Sequence, residues 1–268
     1  MVKIIVCGAC GRMGKRIIAC AVEGGEIAVV GAIETEGHPC MGKDAGEVAG
    51  VAGLGIPVTA DLSAVAGPAD AIVDFSQHEA SVGNAAVAVA LKKPIVIGTT
   101  GLDAGEVQVI KDASSKVACL VAPNMSVGVN LLFRIVSDVA RSLGEEYDAE
   151  IVEVHHRFKK DAPSGTAKRL AASIADAWGK SLDAIACHGR SGEPGERPKG
   201  QIGIHAVRQG DVVGEHTVSF SSLGERVEIV HKAHSRDTFA RGALRAAEWI
   251  VGKPAGLYSM EDVLFGDK

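Results

Sequence analysis

The hydrophobic pattern of this chain changes partway along its length. Residues 2–7 (VKIIVC) form a short β-branched apolar run that breaks into glycines and passes into RMGKRIIACAVEG, where apolar residues recur at helical spacing. That succession predicts strand, turn, helix. EIAVVGAIE (26–34), DAIVDFS (70–76), KPIVIGTTG (93–101) and KVACLVAPN (116–124) are further apolar runs, and HEASVGNAAVAVALK and GEVQVIKDASS between the last three read as helices. Strands alternating with helices through about residue 125 predict a Rossmann-type, doubly wound parallel sheet, which binds ligands at the carboxyl ends of its strands.

After PNMSVGVN a long amphipathic segment, LLFRIVSDVARSLGE, leads to a strand, AEIVEVHH, and then to a helix, TAKRLAASIADAWGK. HGRSGEPGERPKG (188–200) is too dense in glycine and proline for a regular element and reads as a mobile loop. IGIHAVRQG, VVGEHTVSFSS and RVEIVHKAHS, separated by short turns, follow antiparallel sheet grammar. A last helix, DTFARGALRAAEWIVGK, and the short GLYSMEDVLF close the chain. A second, smaller α+β domain with a mixed or antiparallel sheet is therefore expected after the parallel one.

Composition narrows the class. At 268 residues, 47% hydrophobic and 23% charged, with 33 glycines, the chain suits a two-domain α/β enzyme with many tight turns. A formal net charge of -5 and only short basic clusters exclude a nucleic-acid footprint or a membrane-surface patch. The first apolar run is too short for a secretory signal, and no stretch reaches the roughly 18 apolar residues of a membrane span, so a cytoplasmic protein is expected. Cysteines at 7, 10, 20, 40, 119 and 187 read as reduced thiols in a chain that folds without staples. Cys7 and Cys10 form a C-x-x-C, but a redox or metal reading needs a second pair or a thioredoxin-like setting, so no metal site is expected.

Two stretches carry candidate chemistry. GACGRMG places Gly8, Gly11 and Gly14 between the first strand and helix, where the backbone can approach a pyrophosphate met by helix N-terminal amides. Glu34, ending the second strand, stands where a carboxylate binds adenosine ribose hydroxyls; a structural turn beside a surface glutamate is the alternative. GTTG (98–101) and APN (122–124) end strands on the same edge and are either nicotinamide contacts or ordinary turns. The second stretch is VEVHHRFKKDAPSGTA (152–167). Strand alternation puts His155 on the face of Glu153 and Ile151, with His156 opposite, so the pair cannot easily share a metal. Ser164 or Thr166 caps the helix that follows, and amides near Gly165 and Thr166, with Lys159 or Lys160, make an anion clamp beside titratable groups.

The motifs E-x-H-H-R-x-K-x-D-A-P-S-G-T-A, G-x-x-G-R-M-G, I-G-T-T-G and A-P-N-x-S-V-G-V-N together resemble the dihydrodipicolinate reductase family of diaminopimelate and lysine biosynthesis. The resemblance runs the whole length, through GDVVGEHTVSF, GERVEIVHKAHSRDTFARGALRAA and GLYSMEDVL. It implies an oxidoreductase reducing the cyclic imine dicarboxylate 4-hydroxy-tetrahydrodipicolinate to tetrahydrodipicolinate with NADH or NADPH. It further implies a dinucleotide-binding domain over 1–126 completed by 236–268, a substrate-binding and oligomerisation domain over 127–235, and a homotetramer. By matching positions, His155 is proton donor or acceptor and Lys159 proton donor, while His156, Gly165 and Thr166 contact substrate. Gly8, Ala9, Cys10, Gly11, Arg12, Met13, Glu34, Gly98, Thr99, Thr100, Ala122, Pro123, Asn124 and Met125 contact the cofactor.

His155 has a reference pKa suited to protonating an enamine, whereas Lys159 serves either as an acid, if its pKa is depressed, or as a charge holding a substrate carboxylate. Glu34-Thr35-Glu36 lacks the arginine that many relatives carry after the ribose-binding glutamate, so NADH is expected to serve at least as well as NADPH. Two other readings compete. An amino-acid or semialdehyde dehydrogenase on a similar plan lacks an evident nucleophilic cysteine here, and a catalytically inactive NAD-sensing regulator has no need of His155 and Lys159.

Overall fold

In the computed structural model, which describes residues 1–266, the apolar runs of the first half become strands buried on both faces. The chain runs β1 (Val2–Cys7), α1 (Arg12–Gly24), β2 (Ile27–Ile33), α2 (Ala45–Ala49), β3 (Val58–Thr59), α3 (Leu62–Val65), β4 (Ala71–Asp74), α4 (His78–Leu91), β5 (Ile95–Ile97), α5 (Ala104–Ser114) and β6 (Ala118–Val121). The strands pair in parallel in the order β3-β2-β1-β4-β5-β6, so the sheet reverses direction of growth between β1 and β4. Successive residues of β1 serve opposite cores: Ile4 and Val6 pack on one face of the sheet, Ile5 and Cys7 on the other. Burial on both faces explains why these strands read as unbroken apolar runs.

The next stretch builds a separate layer. Its elements are α6 (Val127–Leu143), β7 (Asp148–His155), α7 (Gly165–Ala177), α8 (Leu182–Ile185), β8 (Ala186–His188), β9 (Ile202–Arg208), β10 (Gly214–Ser222) and β11 (Glu225–Ala233). The five strands are ordered β11-β10-β7-β9-β8. β10 runs antiparallel to both β7 and β11, but β9 is parallel to β7 and β8, so β9 and β10 are not the hairpin that their short separation predicts. β7, laid down fifty residues earlier, takes the place between them. α6 and α7 cover one face: Leu132, Val136 and Ala140 from α6 and Leu170, Ala171 and Ile174 from α7 meet Ile151, Ile204, Val218 and Phe220 of the sheet. On the opposite face Val152, Val207 and Val230 are 37%, 37% and 49% exposed.

The polar segment 188–200 is irregular, as its composition predicts, yet it is anchored. Arg197 bonds Glu150 (3.0 Å), Asp148 (2.6 Å) and the carbonyls of Ala149 and Gln201, and Arg190 bonds Glu150 and Gln201. Glu150 is the common acceptor. Burial acts against its charge, but Arg190, His205 and Arg197 outweigh that and hold its carboxyl down to about 2.

The chain then returns to the first layer through α9 (Asp237–Ile250), β12 (Gly256–Tyr258) and α10 (Met260–Phe265). β12 adds to the edge of the parallel sheet beside β6. α9 places Ala240, Ala243, Ala246, Ala247 and Ile250 in the same core as Ile4, Val6 and Leu120. Its Gly242 lies so close to the Met125 carbonyl that an added Cβ would stand 1.8 Å from that oxygen. The molecule thus divides into two units, Met1–Val127 joined by the segment from Arg236 onward, and Gly128–Ser235.

Candidate active site

Three residues of the second unit, His155, Arg208 and Ser164, converge on one buried carboxylate, that of Glu153. Glu153 and His155 lie two apart on β7, so both point to the helix-covered face, and the β10 register sets His216 opposite Glu153. Arg208, at the end of β9, pairs with His155 in register. Glu153 is fully buried; its Oε2 meets His155 Nδ1 at 2.5 Å, and Arg208 donates to both its oxygens at 2.8 Å in a bidentate fork. A third donor is the Ser164 backbone N–H, at 2.9 Å. Burial pushes the Glu153 carboxyl up, but the bonds from Arg208, His155 and Ser164 prevail and hold it below its ordinary value.

An ionised Glu153 keeps the His155 proton on Nδ1 and leaves the Nε2 lone pair available. Nε2 lies over Gly214, where an added Cβ would stand 3.0 Å away. Burial is the largest influence on His155 and lowers its pKa; Glu153 opposes this, while Lys159 and Arg208 add to it. Lys159 itself pairs with Asp161 at 2.9 Å, and Arg208 also holds the Asp161 carbonyl at 2.6 Å, fixing the turn between β7 and α7.

At the start of α7, Ser164 is the N-cap: its Oγ accepts from the Ala167 N–H at 3.1 Å. The same hydroxyl hydrogen-bonds His216 Nε2, 3.2 Å away, with the imidazole tautomer setting which of the two donates. Gly165 is the first helical residue, and nothing lies within 4 Å of where its Cβ would stand. Gly165 and Thr166 thus lie in the first turn of α7, at its N-terminal end. His156 stands apart from the Glu153 cluster, its ring 6.3 Å from that of Phe158.

His216 packs edge-on against His155, ring centroids 5.2 Å apart, and burial depresses it from 6.5 to about 3. Between those values the unfolded chain binds a proton that the folded chain refuses, so stability falls as pH drops from about 6.5 toward about 3 and changes no further from this group below that. His216→Gln therefore flattens the thermal midpoint against pH across this window. An unchanged slope between pH 6.5 and 4 would exclude His216 as its source.

In the first unit, the turn from β1 to α1 requires its glycines. Gly8 has φ +74°, and an added Cβ would stand 2.4 Å from the Phe75 carbonyl oxygen. Gly11 caps α1 without any side-chain bond. Glu34 accepts from the Cys10 N–H at 3.1 Å and the Thr35 N–H at 2.9 Å, so its carboxylate sits directly beside the glycine turn. These features fit a dinucleotide: an uncapped helix start for the pyrophosphate and an adjacent carboxylate for ribose hydroxyls. Gly98 packs against the Phe75 ring, Thr99 Oγ1 reaches the Ser76 carbonyl at 3.4 Å, and Asn124 Oδ1 accepts from the Ser126 N–H at 2.9 Å. All three follow strand ends on the carboxyl edge of the sheet. Arg12 opens α1, Met13 packs against the core beneath it, and Ala122 and Met125 are buried.

Glu153, Arg208, His216 and Gly214 are the members that sequence reasoning did not single out. Glu153 was visible as the residue sharing a strand face with His155, but the other three depend on which strands flank β7.

The family models for the N-terminus and the C-terminus of dihydrodipicolinate reductase match residues 2–125 and 128–264. The 4-hydroxy-tetrahydrodipicolinate reductases of Syntrophus aciditrophicus and Geobacter metallireducens are 51% and 50% identical, each over 98% of this chain and 98% and 99% of their own lengths. The dipicolinate-bound dihydrodipicolinate reductase of Paenisporosarcina sp. TG-14 shares the fold, with a TM-score of 0.76 at 22% identity over 97% of both chains. An amine dehydrogenase from Mycobacterium smegmatis aligns at TM-score 0.61 with 10% identity, covering 97% of this chain and 95% of its own. With both halves matched in order and half of all residues shared with full-length relatives, the chain belongs to the dihydrodipicolinate reductase family.

Proposed function

We propose that this protein is a 4-hydroxy-tetrahydrodipicolinate reductase, converting that cyclic imine dicarboxylate to tetrahydrodipicolinate in diaminopimelate and lysine biosynthesis, as a cytoplasmic homotetramer. The observation that carries the reading is the buried Glu153–His155 pair beside Lys159 and the start of α7. It sets a proton carrier next to an anion-binding helix end, which is what reduction of an anionic imine needs.

The bound dinucleotide supplies the hydride. Gly8 through Met13 hold its pyrophosphate, Glu34 its ribose, and the segments 98–100 and 122–125 its nicotinamide end. Gly165, Thr166 and His156 hold the substrate carboxylates, with Lys159 as the neighbouring charge. Hydride addition leaves an electron-rich enamine, and His155 Nε2 delivers the proton to it. Free His155 is biased toward its neutral form, but a dianionic substrate offsets the positive neighbours that disfavour protonation. Substrate binding thereby loads the acid it requires. Glu153 keeps Nε2 facing the ligand throughout, and Arg208 keeps Glu153 ionised. The test follows NADH absorbance with and without freshly generated imine; oxidation independent of the imine would sink the reading.

NADH serves at least as well as NADPH. Glu34 and Glu36 repel a 2′-phosphate, and Thr35 supplies no compensating charge. Thr35→Arg raises the NADPH to NADH ratio of kcat/KM by about tenfold, the worth of one charge-assisted bond. Wild-type preference for NADPH by that factor would refute the assignment of this loop.

The half-exposed valines of β7, β9 and β11 make an apolar patch on the uncovered sheet face, which assembly of subunits would bury. Val152→Glu is expected to reduce the light-scattering mass at micromolar concentration. A wild-type monomer would contradict the tetramer.

A further inference from the structure

We infer that the first unit carries a binding site for a thiophilic divalent cation such as Zn²⁺, formed by Cys10, His38 and Cys40. The three side chains come from two segments: Cys10 from the glycine turn after β1, His38 and Cys40 from the loop after β2. One ligand atom of each, the two sulfurs and a ring nitrogen, lie within 4.8 Å of one another. Tetrahedral zinc with bonds of about 2.3 Å to sulfur and 2.0–2.1 Å to nitrogen needs its ligand atoms roughly 3.5–3.8 Å apart, so a small inward shift closes the set.

The backbone around the cluster is already fixed. The His38 N–H bonds the Thr35 carbonyl (3.1 Å), Met41 N–H bonds the His38 carbonyl (2.9 Å), and Lys43 N–H bonds the Cys40 carbonyl (3.1 Å). Gly42 N–H ties the same loop to β3 through the Val58 carbonyl at 2.9 Å. Cys10 N–H is held by Glu34, whose carboxylate adds a negative charge beside the thiols. That charge opposes a bare thiolate and favours a bound cation. Burial, the neighbouring Cys40 and Glu34 together push the Cys10 thiol up to about 12, so the ion must displace a proton from it.

Binding is a proton exchange: one divalent ion and two thiols give two metal–sulfur bonds and release two protons. The imidazole adds a metal–nitrogen bond and surrenders the bond that its Nδ1 accepts from Cys40 N–H, 3.2 Å in the free protein. Three protein ligands leave a fourth position for water. An ion held by Cys10 constrains the glycine turn and draws on the field of Glu34, so ion and dinucleotide exclude one another. This last step rests on the reading of the turn as the dinucleotide site.

The test uses the full-length protein reduced with a phosphine and desalted. Isothermal titration with Zn²⁺ alone should give one site per chain, and Co²⁺ should develop the thiolate charge-transfer band. Cys40→Ser and His38→Ala should each weaken Zn²⁺ by at least about 100-fold, since loss of even a supporting residue costs 10–100-fold. Both should still bind NADH, which reports an intact fold. A Co²⁺ spectrum without the thiolate band, or Zn²⁺ affinity unchanged in Cys40→Ser, overturns the site. Zn²⁺ binding that persists at saturating NADH overturns the exclusion. Failure of NADH to bind while Zn²⁺ binds would count against the dinucleotide reading alone.

Discussion

Replacing His155 with alanine lowers kcat by about 10² to 10⁴, the usual worth of a positioned acid–base group, and leaves the NADH dissociation constant close to wild type. The two readouts separate because His155 belongs to the second unit, while the proposed dinucleotide residues belong to the first. Lys159→Ala also lowers kcat, but it loosens Asp161 and removes a positive neighbour of His155. That removal raises the His155 pKa, and because His155 must be protonated to act, the alkaline limb of the Lys159→Ala rate profile moves to higher pH. Stopped-flow turnover from pH 5 to 9, with NADH fluorescence titration alongside, measures both. Near-normal turnover in His155→Ala would end its assignment as the proton carrier.

Arg208→Ala is expected to be the most destabilising single change in the cluster, at about 3 kcal/mol. Removing one partner of a buried ion pair typically costs 3–5 kcal/mol, and Arg208 keeps some solvent contact, which places the loss at the lower end. The mechanism is specific: Glu153 loses two bonds of 2.8 Å and remains fully buried, with only His155 and the Ser164 N–H to satisfy it. Arg208→Lys keeps the charge but not the fork and recovers only part of the loss. Urea unfolding of the three proteins tests this. An Arg208→Ala midpoint equal to wild type would mean that the fork contributes nothing net.

How much of this was legible in the sequence depends on whether the pattern was local. The run 2–7 is buried on both faces, so its apolar continuity alone marks β1, and DAPSGTA announces the capped start of α7. The elements α2 and β3 were not legible because their order comes from a side chain. Asp44 accepts backbone N–H bonds from Gly46, Glu47, Leu54, Gly55 and Ile56, which holds its carboxyl down to about 2 and leaves no periodicity to detect. In the site, His155 and Lys159 were legible from one contiguous motif. Arg208 and His216 were not, because their positions follow from β7 entering between β9 and β10, a long-range pairing that short connections argue against. The proximity of Cys10 to His38 and Cys40 was not legible for the same reason: sequence spacing pairs Cys10 with Cys7, whereas the fold brings up the loop after β2.

The return of α9 to the parallel sheet sets an order of events during synthesis. A ribosome-bound chain that has emerged as far as Val127 holds β1 to β6, but not the helix whose Ala240, Ala243, Ala247 and Ile250 close the core over Ile4, Val6 and Leu120. Until α9 emerges, that apolar face is open to water and to other nascent chains. The second unit has a core of its own, drawn entirely from residues 132–220, so it can condense while the first waits. This late-made helix then completes the first-made sheet, and its pairing across the whole intervening segment is a high-contact-order, slow step.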